Sequence, residues 1–130
     1  MTLEQWLNYA ADILREYYGV NHAFGRQLAY LVLYCYDAGV DFDITSAWRD
    51  PGHQKDLQRA WDRGDRKGLA ARPADQSKHC HTDISGRPDA MAVDLACGPR
   101  LKEVVKFAKF CGIKWGGDFV TSPDPVHFYV

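Results

Sequence analysis

The chain has 130 residues, of which 46% are hydrophobic and 13% aromatic, and its formal net charge at pH 7 is −1. This length and composition predict a single domain, residues 1–130, with its own hydrophobic core. The near-zero charge argues against nucleic acid as a partner. No run approaches the ~20 apolar residues of a membrane span, and the first residues do not resemble a signal peptide. We therefore expect a monomer made in the bacterial cytoplasm without membrane insertion.

Two helices are predicted at the start of the chain. The first begins at a capping box formed by Thr2 and Gln5 and ends at Gly19. The second lies between an N-cap at Asn21 and a terminating Gly39. Apolar residues at helical spacing predict the buried faces, which are Leu3, Trp6, Leu7, Ala10, Ile13, Leu14 and Tyr17 in the first helix and Phe24, Leu28, Leu31, Val32 and Cys35 in the second.

The rest of the chain combines short strands with two further helices. Strands are predicted over residues 40–45, 91–96, 113–115 and 126–129, and helices over residues 50–64 and 98–112. The charged segment 62–72 has no apolar period and is predicted to be a solvated loop that borders the active site. Together these elements predict an α+β domain in which N-terminal helices pack on a small, largely antiparallel sheet.

Three residues offer the side chains of a metal site: His79, Asp94 and His127. A catalytic zinc takes three protein ligands and keeps a fourth position for water, and histidines with one carboxylate are an ordinary ligand set. Asp94 lies in an apolar run, where a buried carboxylate is costly without a cation. Asp124, three residues before His127, is placed to accept a proton from water at such an ion. Zn²⁺ is therefore the expected cofactor.

Several motifs follow one another in an order that is typical of a known family. They are Ser46-x-x-Arg49 with Gln54 after it, Ser77-x-His79, the Ala-Val-Asp-Leu run that contains Asp94, Trp-Gly-Gly-Asp-Phe from Trp115, and Asp124-x-x-His127-Phe. In this order they resemble the M15 family of zinc peptidases, over roughly the C-terminal two thirds of the chain. That family includes D-Ala-D-Ala carboxypeptidases and the L-alanyl-D-glutamate endopeptidases that bacteriophages use as endolysins.

The resemblance implies a Hedgehog/DD-peptidase-like fold and a role for each matching residue. It implies that His79, Asp94 and His127 bind zinc, that Asp124 is the catalytic base, and that Arg49 stabilises the oxyanion. In the family, the serine that matches Ser77 helps to hold the substrate. The candidate cleft-lining positions are Gln54, His53, Trp48, Trp115 and Asp118, of which Gln54, Trp115 and Asp118 are expected to bind substrate with Ser77. Asp118 has a second possible role, which is to orient His79 or His127.

The spacing of the metal ligands departs from the family pattern. Fourteen residues separate His79 from Asp94, more than in most members. The additional segment contains Gly86 and Pro88, which are typical of a turn that loops out, and it makes His81 a competing ligand. A zinc site built on Cys80 is a further alternative, although we expect all four cysteines to be reduced thiols.

The function expected from the resemblance is hydrolysis of peptidoglycan stem peptides. The short chain suggests a phage endolysin that cuts the bond between L-Ala and D-Glu and reaches the cell wall after another protein has permeabilised the membrane. A D-Ala-D-Ala carboxypeptidase would use the same residues, and the sequence does not separate the two. A non-catalytic peptidoglycan-binding module is the alternative of another class, but such a module would need neither Asp124 nor Arg49.

Overall fold

The computed structural model describes residues 1–64 and 75–130. Within these ranges the helices are Leu3–Tyr18 (α1), His22–Asp37 (α2), Pro51–Asp62 (α3) and Leu101–Phe110 (α4), and the strands are Asp43–Ser46 (β1), Ala92–Ala96 (β2), Lys114–Trp115 (β3) and His127–Tyr129 (β4). Short 3₁₀ turns occur at Lys78–Cys80, Gly98–Arg100 and Gly116–Asp118. The predicted α+β class is confirmed.

The helix starts are fixed by local hydrogen bonds that the sequence predicts. Thr2 and Gln5 form the capping box of α1, with both reciprocal bonds present. Asn21 caps α2 and Asp50 caps α3 by accepting backbone N–H groups of the first turn. Pro51 occupies the first turn of α3, where its missing N–H costs nothing. These caps determine where α3 begins, directly after the segment that carries Arg49.

The four strands form one antiparallel sheet in the order β1-β2-β4-β3. Strand β2 is central, and Asp94 within it is paired with Ser46 of β1 on one side and with His127 of β4 on the other. The sheet therefore brings together three segments that are far apart in the sequence.

The core lies between the sheet and helices α2 and α4. Its buried side chains include Phe24, Leu28, Leu31, Cys35, Val93, Leu95, Val104, Ala108 and Phe128. Helix α1 packs on α2 through Leu7 and Ala11, which are both fully buried. All four cysteines are free thiols, and burial raises the pKa of Cys35 and Cys97 to about 11.

Some predicted details are wrong. Leu3, Tyr17 and Val32 were expected in the buried stripes but are exposed. Leu3 and Tyr17 lie in the first and last turns of α1, and Val32 lies at the edge of the stripe on α2, so apolar spacing alone overstates the width of the buried face.

Two further predictions concern segments rather than single side chains. The strand expected over residues 40–45 is Asp43–Ser46, which begins later and ends one residue further on. Most of the predicted loop 62–72 lies outside the described residues. Among the described helices, none is both long and apolar enough to span a bilayer.

Candidate metal centre and active site

The predicted ligands His79, Asp94 and His127 lie together at one end of the central strand pair. Strand register places His127 opposite Asp94, and the 3₁₀ turn Lys78–Cys80 brings His79 to both. Asp94 Oδ1 is 3.3 Å from His79 Nε2 and 3.6 Å from His127 Nδ1, and the two nitrogens are 3.3 Å apart. One ligand atom from each residue therefore lies within 4.8 Å of the other two, and the group can hold a metal ion.

Hydrogen bonding fixes the His79 ring in the state that a metal requires. His79 is buried, and its Nδ1 lies 2.8 Å from the carbonyl oxygen of Ala47. Because a carbonyl only accepts, Nδ1 carries the proton, and in the neutral ring the Nε2 lone pair then faces His127 and Asp94. A backbone carbonyl behind a histidine is the usual arrangement for a metal ligand.

Asp94 has the features expected of a carboxylate that binds a cation. Its Oδ1 is buried and forms no hydrogen bond of regular geometry with any residue in the described ranges. Burial raises the pKa of Asp94, but without a metal the N–H groups and positive charge of protonated His127 and His79 rings outweigh burial and hold the pKa of this carboxyl below its usual range. A metal cation bound to the neutral rings would take over this stabilisation of the carboxylate. A buried, charged oxygen opposite two nitrogen ligands fits a metal such as zinc, which takes nitrogen and oxygen donors.

Arg49 lies on the other oxygen of Asp94. Its Nη2 is 3.6 Å from Asp94 Oδ2, and its backbone N–H donates to the carbonyl of His79 at 2.7 Å. The guanidinium also donates to Gln54 Oε1 at 2.8 Å and to Ser46 Oγ at 3.0 Å. The ion pair between Arg49 and Asp94 therefore coexists with the metal-capable group, because each uses a different oxygen of Asp94.

Asp124 lies in the loop between the last 3₁₀ turn and β4. Its N–H donates to Gly116 O at 2.8 Å, and its carbonyl accepts from the N–H of His127 at 3.2 Å. A Cβ on Gly116 would lie 2.6 Å from Asp124 O and 2.8 Å from His127 Cβ, so only glycine permits this close approach. Burial raises the pKa of Asp124, and the negative charge of Asp94 raises it further. A carboxylate with a raised pKa is a better proton acceptor than an exposed one.

The residues predicted to bind substrate have different surroundings. Gln54 is only 2% exposed, and its side-chain oxygen accepts a hydrogen bond from Arg49. Ser77 is buried at the start of the 3₁₀ turn that carries His79. Trp115 Nε1–H donates to Pro125 O at 2.9 Å, while Asp118 is exposed and pairs with Lys109 Nζ at 2.7 Å. Their roles in binding substrate stay predictions.

The competing ligands are placed away from the group. His81 Nδ1 lies 3.1 Å from Asp89 Oδ2, and the metal-capable group found among the described residues contains His79 instead. Cys80 is buried, and burial raises the pKa of its thiol, which disfavours the thiolate that a metal needs.

Several residues that position the side chains of the site were not predicted from the sequence. Ala47 orients His79 through its carbonyl, which no side-chain pattern signals. Ser46 accepts a hydrogen bond from Arg49. Its place three residues before Arg49 in the Ser-x-x-Arg element is the sequence feature that could have predicted this bond. Phe119 and Tyr129 flank the His127 ring at centroid distances of 5.8 and 5.3 Å. These aromatic rings limit the space in which the imidazole can turn.

Comparison with known proteins gives a structural neighbour. No family model matches the sequence, and no curated protein matches it. A solved structure, the L-Ala D-Glu endopeptidase ChiX of Serratia marcescens, matches with a TM-score of 0.56 at 18% identity, over 95% of this chain and 87% of that chain. The likeness extends over nearly the whole chain, so the chain shares the fold of this endopeptidase.

Proposed function

We propose that this protein is a zinc-dependent peptidase that hydrolyses the stem peptides of peptidoglycan. The observation that carries the proposal is the convergence of His79 Nε2, His127 Nδ1 and the unbonded Asp94 Oδ1 within 4.8 Å. A bound zinc ion would supply Lewis acidity, which polarises a peptide carbonyl and lowers the pKa of water to about 7. The shared fold with an L-Ala D-Glu endopeptidase supports a peptidase reaction of this kind.

Two further residues supply the remaining chemistry. Asp124, held next to His127 by the backbone bonds of its loop, accepts a proton from the attacking water and later delivers it to the leaving amine. Arg49 stabilises the negative charge that develops on the carbonyl oxygen. Its bonds to Gln54 and Ser46 hold the guanidinium in one orientation before substrate arrives, so little reorganisation is needed during the reaction.

We propose the bond between L-Ala and D-Glu as the one that is cut. The support is that the neighbour of the same fold is described as an L-Ala D-Glu endopeptidase. Such a substrate lies outside the cytoplasmic membrane, so the protein would act in the periplasm. A phage endolysin that enters after membrane permeabilisation, as the resemblance to M15 peptidases implies, is the biological role that we propose.

The test is hydrolysis of purified peptidoglycan by the zinc-loaded protein, the metal-free protein and Asp124→Asn. Mass spectrometry identifies the released fragments and the new amino groups. We expect release of peptides with a new N-terminal D-Glu, restoration of activity when zinc is added to the metal-free form, and release that is at least about 100-fold slower with Asp124→Asn.

Other results would point to other functions. Loss of a terminal D-Ala would establish a carboxypeptidase with the same site. If zinc-loaded protein released nothing from any wall preparation but sedimented with it, the protein would be a binding module and the enzymatic proposal would be wrong.

A further inference from the structure

A surface groove lies between the C-terminal end of α1 and the loop of residues 81–89. Its volume is about 450 Å³. The side chains that give it its chemistry are Arg15, Glu16, Tyr17, Tyr18, Trp48 and Arg87. None of them belongs to the metal-capable group, so the groove is a second feature that is separate from that group.

The floor of the groove is fixed before any ligand binds. Trp48 donates its backbone N–H to Tyr18 O at 3.0 Å and its indole N–H to His81 O at 3.2 Å. Gly19 has a φ of +66°, and a Cβ there would lie 2.7 Å from Trp48 Cβ and 2.8 Å from Pro88 Cβ. The helix end, the tryptophan and the loop are therefore in direct contact, as is usual for a preformed binding site.

The loop that forms one wall is held by its own hydrogen bonds. The Asp83 side chain accepts the backbone N–H groups of Ser85 at 2.8 Å and Arg87 at 3.0 Å, and the Asp83 N–H donates to Arg87 O at 2.9 Å. Asp83 Oδ2 also lies 3.3 Å from Arg15 Nη2 and 3.7 Å from Arg87 Nε. Two guanidinium groups share this carboxylate, and the Arg87 side chain is 73% exposed, so N–H donors remain open to a ligand.

The exposed groups of the groove are suited to a sugar. Tyr17 is 73% exposed and Tyr18 is 43% exposed, and both line the groove together with the half-buried Trp48. Exposed aromatic side chains in a groove are typical of binding sites, and the negative face of an aromatic ring attracts the C–H groups on the face of a pyranose. The guanidinium groups of Arg15 and Arg87 can donate to the carbonyl and hydroxyl oxygens of an N-acetylated sugar.

The groove is close to the candidate active site along the backbone. Trp48 directly precedes Arg49, and the Arg49 N–H donates to the carbonyl of His79 at 2.7 Å. In peptidoglycan, L-Ala is attached to the lactyl group of N-acetylmuramic acid, so the glycan begins one residue before the L-Ala to D-Glu bond. We infer that the groove binds the glycan strand of peptidoglycan on the amino side of the cleaved bond. This inference rests on the proposed function.

The first test compares two substrates that differ only in the sugar. One is the disaccharide tetrapeptide, and the other is the same tetrapeptide without the disaccharide. We expect Tyr17→Ala and Arg87→Ala to reduce the ratio of the two kcat/KM values about fivefold, mainly through KM for the sugar-bearing substrate. The matched control is Tyr36→Ala, an exposed tyrosine on α2 outside the groove lining, which should keep the native ratio. An unchanged ratio in both groove variants would overturn the inference.

The second test separates this inference from the proposed reaction. The probe is the disaccharide of N-acetylglucosamine and N-acetylmuramic acid, added to the zinc-loaded protein while the indole N–H signals are followed by NMR. We expect the Trp48 signal to shift in the native protein and the shift to be lost in Tyr17→Ala. A shift without any peptide hydrolysis would retain the groove and reject the peptidase. Hydrolysis without any shift would reject the groove and retain the peptidase.

Discussion

Asp94 and His127 face each other across the ladder between β2 and β4, with 3.6 Å between Asp94 Oδ1 and His127 Nδ1. Because side chains alternate along a strand, a slip of one residue in this register would turn one of the two away from the other. The metal-capable group thus depends on strand pairing, and variants of its members test the site directly.

Removal of His79 should abolish zinc binding, whereas removal of His81 should not. The reason is that the Nε2 of His79 lies 3.3 Å from Asp94 Oδ1, while His81 faces Asp89. We expect His79→Ala to contain less than a tenth of the native zinc by elemental analysis after dialysis. His22→Ala is the control, because His22 pairs with the exposed Asp12 on the helical surface. Loss of zinc in His81→Ala alone would show that the ligand had been wrongly assigned.

Zinc should stabilise the native protein through mass action. At a free zinc concentration of a hundred times Kd, the free energy of unfolding should rise by about 2.7 kcal/mol, which corresponds to a Tm increase of roughly 10 °C. Asp94→Asn should show almost none of this increase, because the neutral amide is a poor ligand. Differential scanning calorimetry with and without zinc measures the effect, and an equal increase in both proteins would place the ion elsewhere.

Asp124→Asn should retain zinc but lose hydrolysis. An amide cannot accept the proton of the attacking water, so kcat should fall by about 100-fold to 10,000-fold. Zinc content and thermal stability verify that the site is intact. Asp56→Asn, which alters an exposed carboxylate paired with Arg59 on α3, serves as the control for loss of one negative charge. Full activity in Asp124→Asn would remove Asp124 from the mechanism.

The contribution of Arg49 to kcat should depend on the two acceptors that orient its guanidinium group, Gln54 and Ser46. Arg49→Lys keeps the charge but cannot bond to Gln54 and Ser46 together, so we expect kcat to fall about 100-fold with little change in KM. Gln54→Met has a similar volume and lacks the acceptor, and we expect a smaller fall of about tenfold. If Arg49→Lys raised KM at constant kcat, the arginine would bind substrate instead of stabilising the transition state.

Gly116→Ala should damage both stability and the metal site. The added Cβ would lie 2.6 Å from Asp124 O, so the loop must move, at a cost of about 1–3 kcal/mol in the free energy of unfolding and with weaker zinc binding. Gly39→Ala is a matched control. Gly39 has a φ of +67° and nothing described within 4 Å of an added Cβ, so the substitution should cost about 1–2 kcal/mol without changing zinc affinity. Equal zinc affinity in the two variants would show that the close packing of Gly116 against Asp124 and His127 is not needed for the metal site.

The buried thiols should make the protein less stable at alkaline pH. Burial raises the pKa of Cys35 to about 11. In the unfolded chain, a thiol has the pKa of a free cysteine, about 8.5. Below the unfolded value both states are protonated and this group gives no pH dependence. Between the two values only the unfolded state loses the proton, so the free energy of unfolding falls as pH rises, by up to about 1.4 kcal/mol per pH unit.

Urea unfolding from pH 7 to 10 measures this decline. Cys35→Ala should unfold more easily at every pH, but its stability should fall less steeply above pH 9 than that of the native protein. Parallel curves for the two proteins would mean that the Cys35 thiol does not contribute to the pH dependence.

Local signals in the sequence were sufficient for the helices and for the choice of chemistry. The caps at Thr2, Asn21 and Asp50 are made by residues within three positions of the groups that they bond, so their pattern can be recognised without the fold. The α+β class follows from the change of apolar period along the chain. The extent of burial could not be recognised, because exposure of Val32 depends on which neighbours pack against α2.

The sequence by itself determined the residue types of the site: two histidines and an aspartate, with a second aspartate and an arginine close to them in the motifs. Tertiary structure decided which histidine joins Asp94, because strand register and the turn at residues 78–80 place His79 and not His81 beside it. It also decided that Ala47 orients His79, that Ser46 and Gln54 hold Arg49, and that a groove forms beside them. The physical reason is that these contacts join residues far apart in the chain, or use backbone carbonyls, and neither kind of contact has a signal in a local pattern.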